Sequence, residues 1–145
     1  MVHLEPVTKE NLDAVLRLEV SDSQKSFVST PAESLAQAYV YTGTAFPFAV
    51  YHDQDIVGFI MMGYYEEEAY YTLWKLLIDR NCQRRSYGRK ALELGIAFLK
   101  ERFRVNEIYT GVFPGNTAAR SLYHSLGFQD TGLTENNMDE LCLKC

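Results

Sequence analysis

The sequence predicts one α/β or α+β domain, residues 1–145, built around a mixed sheet. A length of 145 residues is close to that of one typical domain. A hydrophobic content of 47% is enough to form one core. No low-complexity segment, repeat or Pro/Gly linker divides the chain, and strand and helix patterns follow one another in the order βααβββαβαββ.

The N-terminal third predicts a strand and two helices. Residues 2–7 form a short edge strand that Pro6 ends. Thr8 can N-cap a first helix, and four apolar residues recur at helical spacing after it, namely Leu12, Val15, Leu16 and Val20. The second helix begins at the capping box Thr30-Pro31-Ala32-Glu33, with proline in the first helical position, and ends before Gly43.

Three strands and a long helix are predicted next. Residues 45–51 and 56–64 flank the turn 52–55 and read as a hairpin. The acidic tip 66–68 precedes a third strand over 70–78, and the basic turn 79–88 follows. An amphipathic helix then runs from about Tyr87 to Phe103.

The remaining elements are a strand, a helix and two final strands. Residues 107–113 predict a strand buried on both faces, and Asn116 can cap a helix over 117–125 that Gly127 closes. Residues 128–133 and 140–144 finish as strands. We expect the C-terminal end to be an edge strand or unstructured, with no metal bound at its Cys142 and Cys145.

Several classes of protein are disfavoured by composition. No apolar run approaches the ~20 residues that cross a bilayer, and residues 1–5 lack the pattern of a secretory signal. Three cysteines make a poor disulfide framework, which favours a reducing cytoplasm. A net charge of −5 argues against binding to nucleic acid.

The net charge conceals an asymmetry between the two parts of the chain. Residues 1–79 hold 12 acids and 4 bases, whereas residues 80–145 hold 7 acids and 10 bases. Five bases and no acid fall within residues 80–90. Such a short basic cluster in an acidic protein suits a small anionic ligand, although a solvated helix start would carry the same residues.

The basic cluster lies between a predicted strand and a predicted helix. A helix N-terminus presents unpaired N–H groups and about half a positive charge, so a pyrophosphate would fit there. The glycine spacings of a P-loop and of a dinucleotide-binding fingerprint are both missing.

Two motifs resemble those of the GNAT superfamily of acyl-CoA-dependent N-acyltransferases. The first, Gln/Arg-x-x-Gly-x-Gly/Ala, is matched by residues 83–88 except that Ser86 replaces its first glycine. The second, Asn-x-x-Ala-x-x-Leu-Tyr-x-x-x-Gly-Phe, is matched in full from Asn116 to Phe128. The resemblance covers nearly the whole chain and implies a mostly antiparallel central sheet flanked by about four helices.

The resemblance also implies acetyl-CoA as co-substrate and a role for each matched residue. Tyr123 would be the general acid for the leaving thiolate, and Asn116 would touch the pantetheine arm or the phosphates. The remaining cofactor-binding residues would be those of the strand and the turn: Leu76, Leu77, Ile78, Gln83, Arg84, Arg85, Ser86, Tyr87, Gly88 and Arg89. Ser86 can still donate its backbone N–H if its φ stays negative.

Residues 18–28 resemble the corresponding stretch of spermine/spermidine-type acetyltransferases of this superfamily through Val20, Ser21, Gln24 and Phe27. This resemblance implies a polyamine as the acceptor. Carboxylates beside aromatic rings suit an alkylammonium, and the candidates are Glu19, Glu66, Glu67, Glu68 and Trp74. Trp74 and the tyrosines beside it would equally serve to pack the strands. No general base stands out among the four glutamates and Asp79.

Two functions of different classes stay open at this stage. The first is an N-acetyltransferase for a polyamine or another amine, such as an aminoglycoside, an amino acid or a protein N-terminus. The second is a degenerate relative that binds acyl-CoA as a sensor, with Ser86 as a sign of decay. The intact motif from Asn116 to Tyr123 favours the enzyme, and the resemblance leaves a homodimer open.

Overall fold

The computed structural model describes all residues 1–145 as a seven-stranded sheet with helices on both faces. The strands are β1 Val2–Pro6, β2 Ala45–His52, β3 Asp55–Tyr65, β4 Tyr70–Ile78, β5 Glu107–Val112, β6 Gln129–Glu135 and β7 Met138–Lys144. Their order in the sheet is β1-β2-β3-β4-β5-β7-β6, and every neighbouring pair is antiparallel except β4 with β5. The predicted fold class and element order are confirmed.

Four α-helices connect these strands. They are α1 Leu12–Leu16, α2 Pro31–Val40, α3 Tyr87–Phe103 and α4 Thr117–Ser125. Single 3-10 turns occur at Asp22–Gln24 and at Arg80–Cys82. The longest helix has 17 residues, and none of the helices is long and apolar enough to cross a bilayer.

Two hydrophobic cores lie on opposite faces of the sheet. The larger core packs α3 and Tyr123 of α4 against Ile60, Ile108 and Leu141. The smaller core packs Val15 of α1 and the following residues against Phe59 and other side chains of the opposite face. Fully burying one such aliphatic or aromatic side chain contributes about 1.5–3 kcal/mol, so both layers are held chiefly by apolar burial.

The capping residues that the sequence predicts fix where α2 and α4 begin. The Thr30 hydroxyl accepts the Glu33 N–H at 3.1 Å, and Glu33 Oε1 accepts the Thr30 N–H at 3.2 Å, which completes the predicted capping box. The Asn116 side chain accepts the Ala119 N–H at 3.4 Å at the start of α4. Each such cap contributes about 1 kcal/mol of helix stability.

Three sequence predictions about the elements are wrong. Helix α1 spans only five residues and leaves Val20 outside it. Its N-cap is Asn11 rather than Thr8, and the Asn11 side chain does not cap the helix; its Oδ1 accepts the Thr8 N–H at 2.7 Å in the preceding turn. Strand β5 is buried on one face only, with Gly111 exposed on the other. Strand β7 is an interior strand, because β6 pairs outside it and forms the edge.

Candidate active site

Strands β4 and β5 separate soon after they meet. They pair only at Tyr71 with Ile108 and at Thr72 with Tyr109, while β4 stays paired with β3 as far as Ile78. The edge of β4 that faces β5 therefore has no strand partner over residues 73–78, which include the predicted Leu76, Leu77 and Ile78. An unpaired strand edge can hydrogen-bond the amides of an extended ligand as a further strand would.

Thr110 makes the last hydrogen bond between β4 and β5 before the two strands separate. It is buried in β5, and its hydroxyl donates to the Leu73 carbonyl of β4 at 2.9 Å. This side-chain bond takes the place of a ladder bond, and the strands diverge beyond it. A register shift between Met61 and Met62, opposite Trp74 in β4, adds a bulge at the same level.

The turn before α3 exposes backbone N–H groups to an anion. Arg84 and Ser86 both have left-handed φ angles of +64°, and Ser86 makes no side-chain cap bond to the helix. The first N–H groups of α3, like those of any α-helix, have no partner within the helix, and the Ser86 side chain does not cap them. A turn that contains left-handed residues can form a concavity of backbone N–H groups that binds an anion. Arg84 and Arg85 are exposed beside them.

Two predicted side chains of this turn have partners inside the protein. Gln83 Nε2 donates to Gln24 Oε1 at 2.7 Å and to the Ile78 carbonyl at 3.0 Å. Arg89 Nη1 donates to Ser125 Oγ at 2.6 Å, which joins the start of α3 to the end of α4. Backbone N–H groups, rather than these side chains, therefore form the open part of the turn.

Tyr123 lies on α4 beneath the diverging strands. Its side chain is only 8% exposed and packs edge-to-face on Phe128, with 5.4 Å between ring centroids. Burial raises the pKa of the Tyr123 phenol above its usual value of 10, and a hydrogen bond with Thr110 opposes this rise by a smaller amount. The phenol is therefore protonated at neutral pH and can donate a proton.

A cleft of about 520 Å³ opens on the face of the sheet that carries α1 and α2. Thr110 and Leu73 lie at its floor, so the cleft meets the Tyr123 side of the sheet where β4 and β5 part. No Lys or Arg lines it, and its wall is rich in acids and aromatic rings: Glu66, Glu67, Glu135, Glu140, Tyr41, Tyr64, Tyr65, Tyr70 and Trp74.

The carboxylates make the cleft electronegative. Partial burial, followed by Glu140 and Glu135, raises the pKa of Tyr70 to about 12. Glu67 and Glu135 raise the pKa of Tyr65 in the same direction. Negative charge that resists phenolate formation also attracts cations, and the rings of Tyr70 and Trp74 offer faces on which an ammonium can rest.

The structure brings together only part of the predicted acceptor-binding set. Glu66, Glu67 and Trp74 line the cleft, whereas Glu68 lies at the exposed tip outside it. Glu19 lies at the other end of β4, where its carboxylate is 3.7 Å from Arg80. Asp79, a candidate base, accepts the N–H groups of Glu19 and Asn81 through its two oxygens.

Sequence reasoning missed Thr110, Glu135 and Glu140. Thr110 carried a detectable signal, because it is the one polar residue at the buried positions of β5, between Ile108 and Val112. The two glutamates carried none, because they reach the cleft only through the placement of the β6–β7 hairpin beside β5.

Comparisons with known proteins identify the family of the chain. A model of the acetyltransferase (GNAT) family matches residues 12–128. The chain belongs to the GNAT acetyltransferase family. It is therefore an N-acetyltransferase, and acetyl-CoA is its acyl donor.

Individual relatives cover the whole length of this GNAT acetyltransferase. The spermine/spermidine N(1)-acetyltransferase of Bacillus subtilis (strain 168) is 30% identical over an aligned length of 152 residues, gaps included. The alignment covers 99% of this chain and 97% of that protein. An acetyltransferase from Thermus thermophilus is 26% identical with a TM-score of 0.74, over 100% of this chain and 97% of that chain. Spermidine N-acetyltransferase from Vibrio cholerae, in complex with CoA and spermine, has a TM-score of 0.78 at 15% identity, over 99% and 95%.

Ser86 departs from the GNAT motif at a position that needs a left-handed residue. The condition of a negative φ at Ser86 is not met, because its φ is +64° in the turn that leads directly into α3. A left-handed conformation costs a non-glycine residue about 1–2 kcal/mol, partly offset by the greater entropy of glycine in the unfolded chain.

Ser86→Gly is therefore expected to stabilise the fold by about 0.5–1 kcal/mol and to leave acetyl-CoA affinity unchanged or improved. Thermal unfolding should show a melting temperature higher by about 3 °C, and calorimetric titration should report the affinity. A large loss of acetyl-CoA affinity in this variant would contradict the backbone account of the turn.

Gly88 tests how closely acetyl-CoA approaches the start of α3. A Cβ at this position would lie 3.7 Å from Ile78 and 3.8 Å from Leu122, so the protein has room for it at the mouth between β4 and α4. Gly88→Val is expected to weaken acetyl-CoA about tenfold, because its branched methyl groups would cost one charge-assisted hydrogen bond to the turn. Titration calorimetry measures the affinity, and Gly88→Ala, which adds only the Cβ, is the matched control. Equal losses in both variants would contradict this reason.

Proposed function

We propose that this enzyme transfers the acetyl group of acetyl-CoA to a primary amine of a polyamine such as spermine or spermidine. One observation carries the proposal: a cleft lined by four glutamates and several aromatic rings, without a lysine or arginine, opens onto the gap between β4 and β5. The Bacillus subtilis relative bears the name of a spermine/spermidine acetyltransferase, and the Vibrio cholerae neighbour holds CoA and spermine. Both support the same acceptor class.

The donor lies along β4 and at the turn before α3 in this proposal. The pantetheine amides pair with the free edge of residues 73–78, and the pyrophosphate accepts hydrogen bonds from the N–H groups between Arg84 and Arg89. Exposed Arg84 and Arg85 add positive charge around the pyrophosphate. Asn116, whose side chain caps α4 at the end of β5, lies beside the pantetheine arm.

Tyr123 acts as general acid when the thioester is cleaved. The amine nitrogen forms a bond to the acetyl carbon, the C–S bond breaks, and the phenol gives its proton to the departing thiolate. The nitrogen then loses one proton as the amide forms, and that proton returns the Tyr123 phenolate to the phenol. A thiol with a pKa near 8.5 leaves readily, so the proton assists the step rather than permitting it. Its raised pKa keeps Tyr123 protonated until this step.

The reacting amine must be neutral while the other ammonium groups of the acceptor stay charged. Deprotonating a primary amine of pKa ~10.4 near neutral pH costs roughly 4 kcal/mol, so the rate rises with pH as the amine loses its proton. Glu66, Glu67, Glu135 and Glu140 hold the distal ammonium groups, and the rings of Tyr70 and Trp74 contact the methylene chain. The reacting nitrogen then lies near Thr110, where the cleft meets the gap.

Thiol release from acetyl-CoA in the presence of different amines tests the acceptor. Each further ammonium adds about 0.5–1 kcal/mol of attraction in the acidic cleft. We therefore expect kcat/KM to exceed that of a monoamine with the same chain length by about 5- to 30-fold for spermidine, and by about tenfold or more for spermine. Added salt should raise the KM of the polyamines by screening. A preference for an aminoglycoside or a free amino acid would exclude the polyamine and leave acetyl transfer intact.

A further inference from the structure

The segment between α1 and α2 is hydrogen-bonded to residues 83–88, the turn before α3 that is proposed to bind acetyl-CoA and is called the acetyl-CoA turn below. Gln83 Nε2 donates both of its hydrogens within the protein, one to Gln24 Oε1 at 2.7 Å and one to the Ile78 carbonyl at 3.0 Å. Gln24 is the last residue of the 3-10 turn Asp22–Gln24. One side-chain amide therefore connects the segment before α2, the end of β4 and the turn that leads into α3.

Two further bonds fasten the other end of the same segment. The Arg80 N–H donates to the Glu19 carbonyl at 2.7 Å, and the Glu19 N–H donates to Asp79 Oδ1 at 3.0 Å. Residues 19–24 are thus held to residues 79–83 at both ends. The Gln24–Gln83 bond is the one hydrogen bond among these that joins two side chains, beside the ion pair of Glu19 and Arg80 at 3.7 Å. It can be removed without changing the backbone.

The segment continues from Gln24 to the wall of the acceptor cleft. The Phe27 N–H donates to the Gln24 carbonyl at 2.9 Å, and Val28 packs against the smaller core, which includes Trp74 at its margin. Ser29 Oγ accepts a hydrogen bond from Lys75 Nζ at 2.8 Å. Trp74 lines the cleft, so the short stretch from Gln24 to Ser29 connects Gln83 with the cleft wall.

We propose that Gln24 is a positioning residue that couples the acetyl-CoA turn to the acceptor cleft. When acetyl-CoA occupies the turn, the position of Gln83 is fixed, and Gln24 and the segment 24–29 are fixed with it. Lys75 is held by Ser29, and the neighbouring Trp74 takes up the arrangement that binds the acceptor. Acetyl-CoA and the acceptor then increase each other's affinity, because coupling between two sites is reciprocal. The acceptor part of this inference rests on the proposed polyamine function, whereas the effect of CoA on Trp74 does not.

Trp74 is the single tryptophan of the chain. It lines the cleft and also belongs to the β4 edge with which the pantetheine is proposed to pair, so the part of its response to CoA that depends on Gln24 is the part that reports the coupling. Titrating CoA into the wild-type protein, with excitation at the red edge of the tryptophan band, should change the Trp74 emission. Gln24→Ala should reduce that change to less than about a third, while calorimetry shows the dissociation constant for CoA within about twofold of wild type. Gln24→Glu keeps an acceptor oxygen for Gln83 Nε2 and should restore the change.

Gln54→Ala is the matched control, because Gln54 is exposed in the β2–β3 turn and should leave the signal as in wild type. With spermine as acceptor, Gln24→Ala should raise the acceptor KM about tenfold, within the range typical of coupled sites, with kcat within about twofold. An undiminished Trp74 response in Gln24→Ala, or no response in wild type, would overturn the coupling. Failure of spermine as a substrate with an intact Trp74 result would overturn only the polyamine proposal.

Discussion

Replacing Tyr123 with phenylalanine is expected to lower kcat about 100-fold and to change the KM for acetyl-CoA less than about twofold. General acid catalysis contributes about 10²–10⁴-fold, and the low end applies here because a thiolate is already a good leaving group. The phenylalanine ring keeps the edge-to-face packing on Phe128, so the variant removes the hydroxyl and little else. Steady-state measurement of thiol release gives both constants.

Tyr39→Phe is the control for this variant, since Tyr39 lies on α2 with 84% of its surface exposed and should lose no activity. The melting temperature of Tyr123→Phe should stay near that of wild type if packing is preserved. Because burial raises the pKa of Tyr123, phenolate formation should lower wild-type kcat only at a higher pH than the one at which an exposed tyrosine ionises. An unchanged kcat in Tyr123→Phe would leave Tyr123 as a packing residue only.

The elements predicted best from the sequence are those with local signals at their ends. Helix α2 begins where Thr30 and Glu33 bond to each other, and α3 spans Tyr87–Phe103 as predicted. Helix α1 is shorter than its pattern predicts, because apolar side chains at helical spacing also suit a short helix followed by an irregular buried segment. Leu18 and Val20 are buried in that segment rather than on a helix face.

The proposed donor site can be predicted from the sequence because its residues are contiguous in two motifs. Residues 83–88 form one continuous turn, and Asn116 and Tyr123 belong to one helix and its cap. The motif alone does not predict the φ of Ser86 or the inward orientation of Gln83. Those depend on how the turn meets Gln24, a residue 59 positions away in the chain.

Which residues line the proposed acceptor cleft depends on the order of the strands in the sheet, and local sequence patterns do not specify that order. The excess of acids in residues 1–79 indicates Glu66 and Glu67, and the structure adds Glu135 and Glu140 from the part of the chain that has more bases than acids. These residues meet because β7 lies between β5 and β6, which brings the β6–β7 hairpin to the tip of β3 and β4. A charge count by segment cannot detect a cleft built from two segments.

Changing Glu66, Glu67, Glu135 and Glu140 together to glutamine is expected to raise the KM for spermine about 30-fold. Removing four partly solvated carboxylates, each of which contributes about 0.5 kcal/mol of attraction to the three remaining ammonium groups, costs about 2 kcal/mol, which corresponds to that factor. The KM for acetyl-CoA should change less than about twofold, because none of these four glutamates belongs to the proposed acetyl-CoA site along residues 73–78 and at the turn before α3. Initial rates of thiol release at several concentrations of each substrate separate the two effects.

A second quadruple variant with the same change in net charge separates the cleft from long-range attraction. Glu10, Asp13, Glu93 and Glu101 are exposed outside the cleft, and neutralising them as amides should raise the KM for spermine less than about threefold, since screening limits the reach of exposed charges to about 10 Å. A monoamine of matched length should lose less in the cleft variant than spermine does, because it has no distal ammonium for the glutamates to hold. Equal increases in the two quadruple variants would show that net charge alone attracts the polyamine, and the acceptor site would then have to be sought outside this cleft.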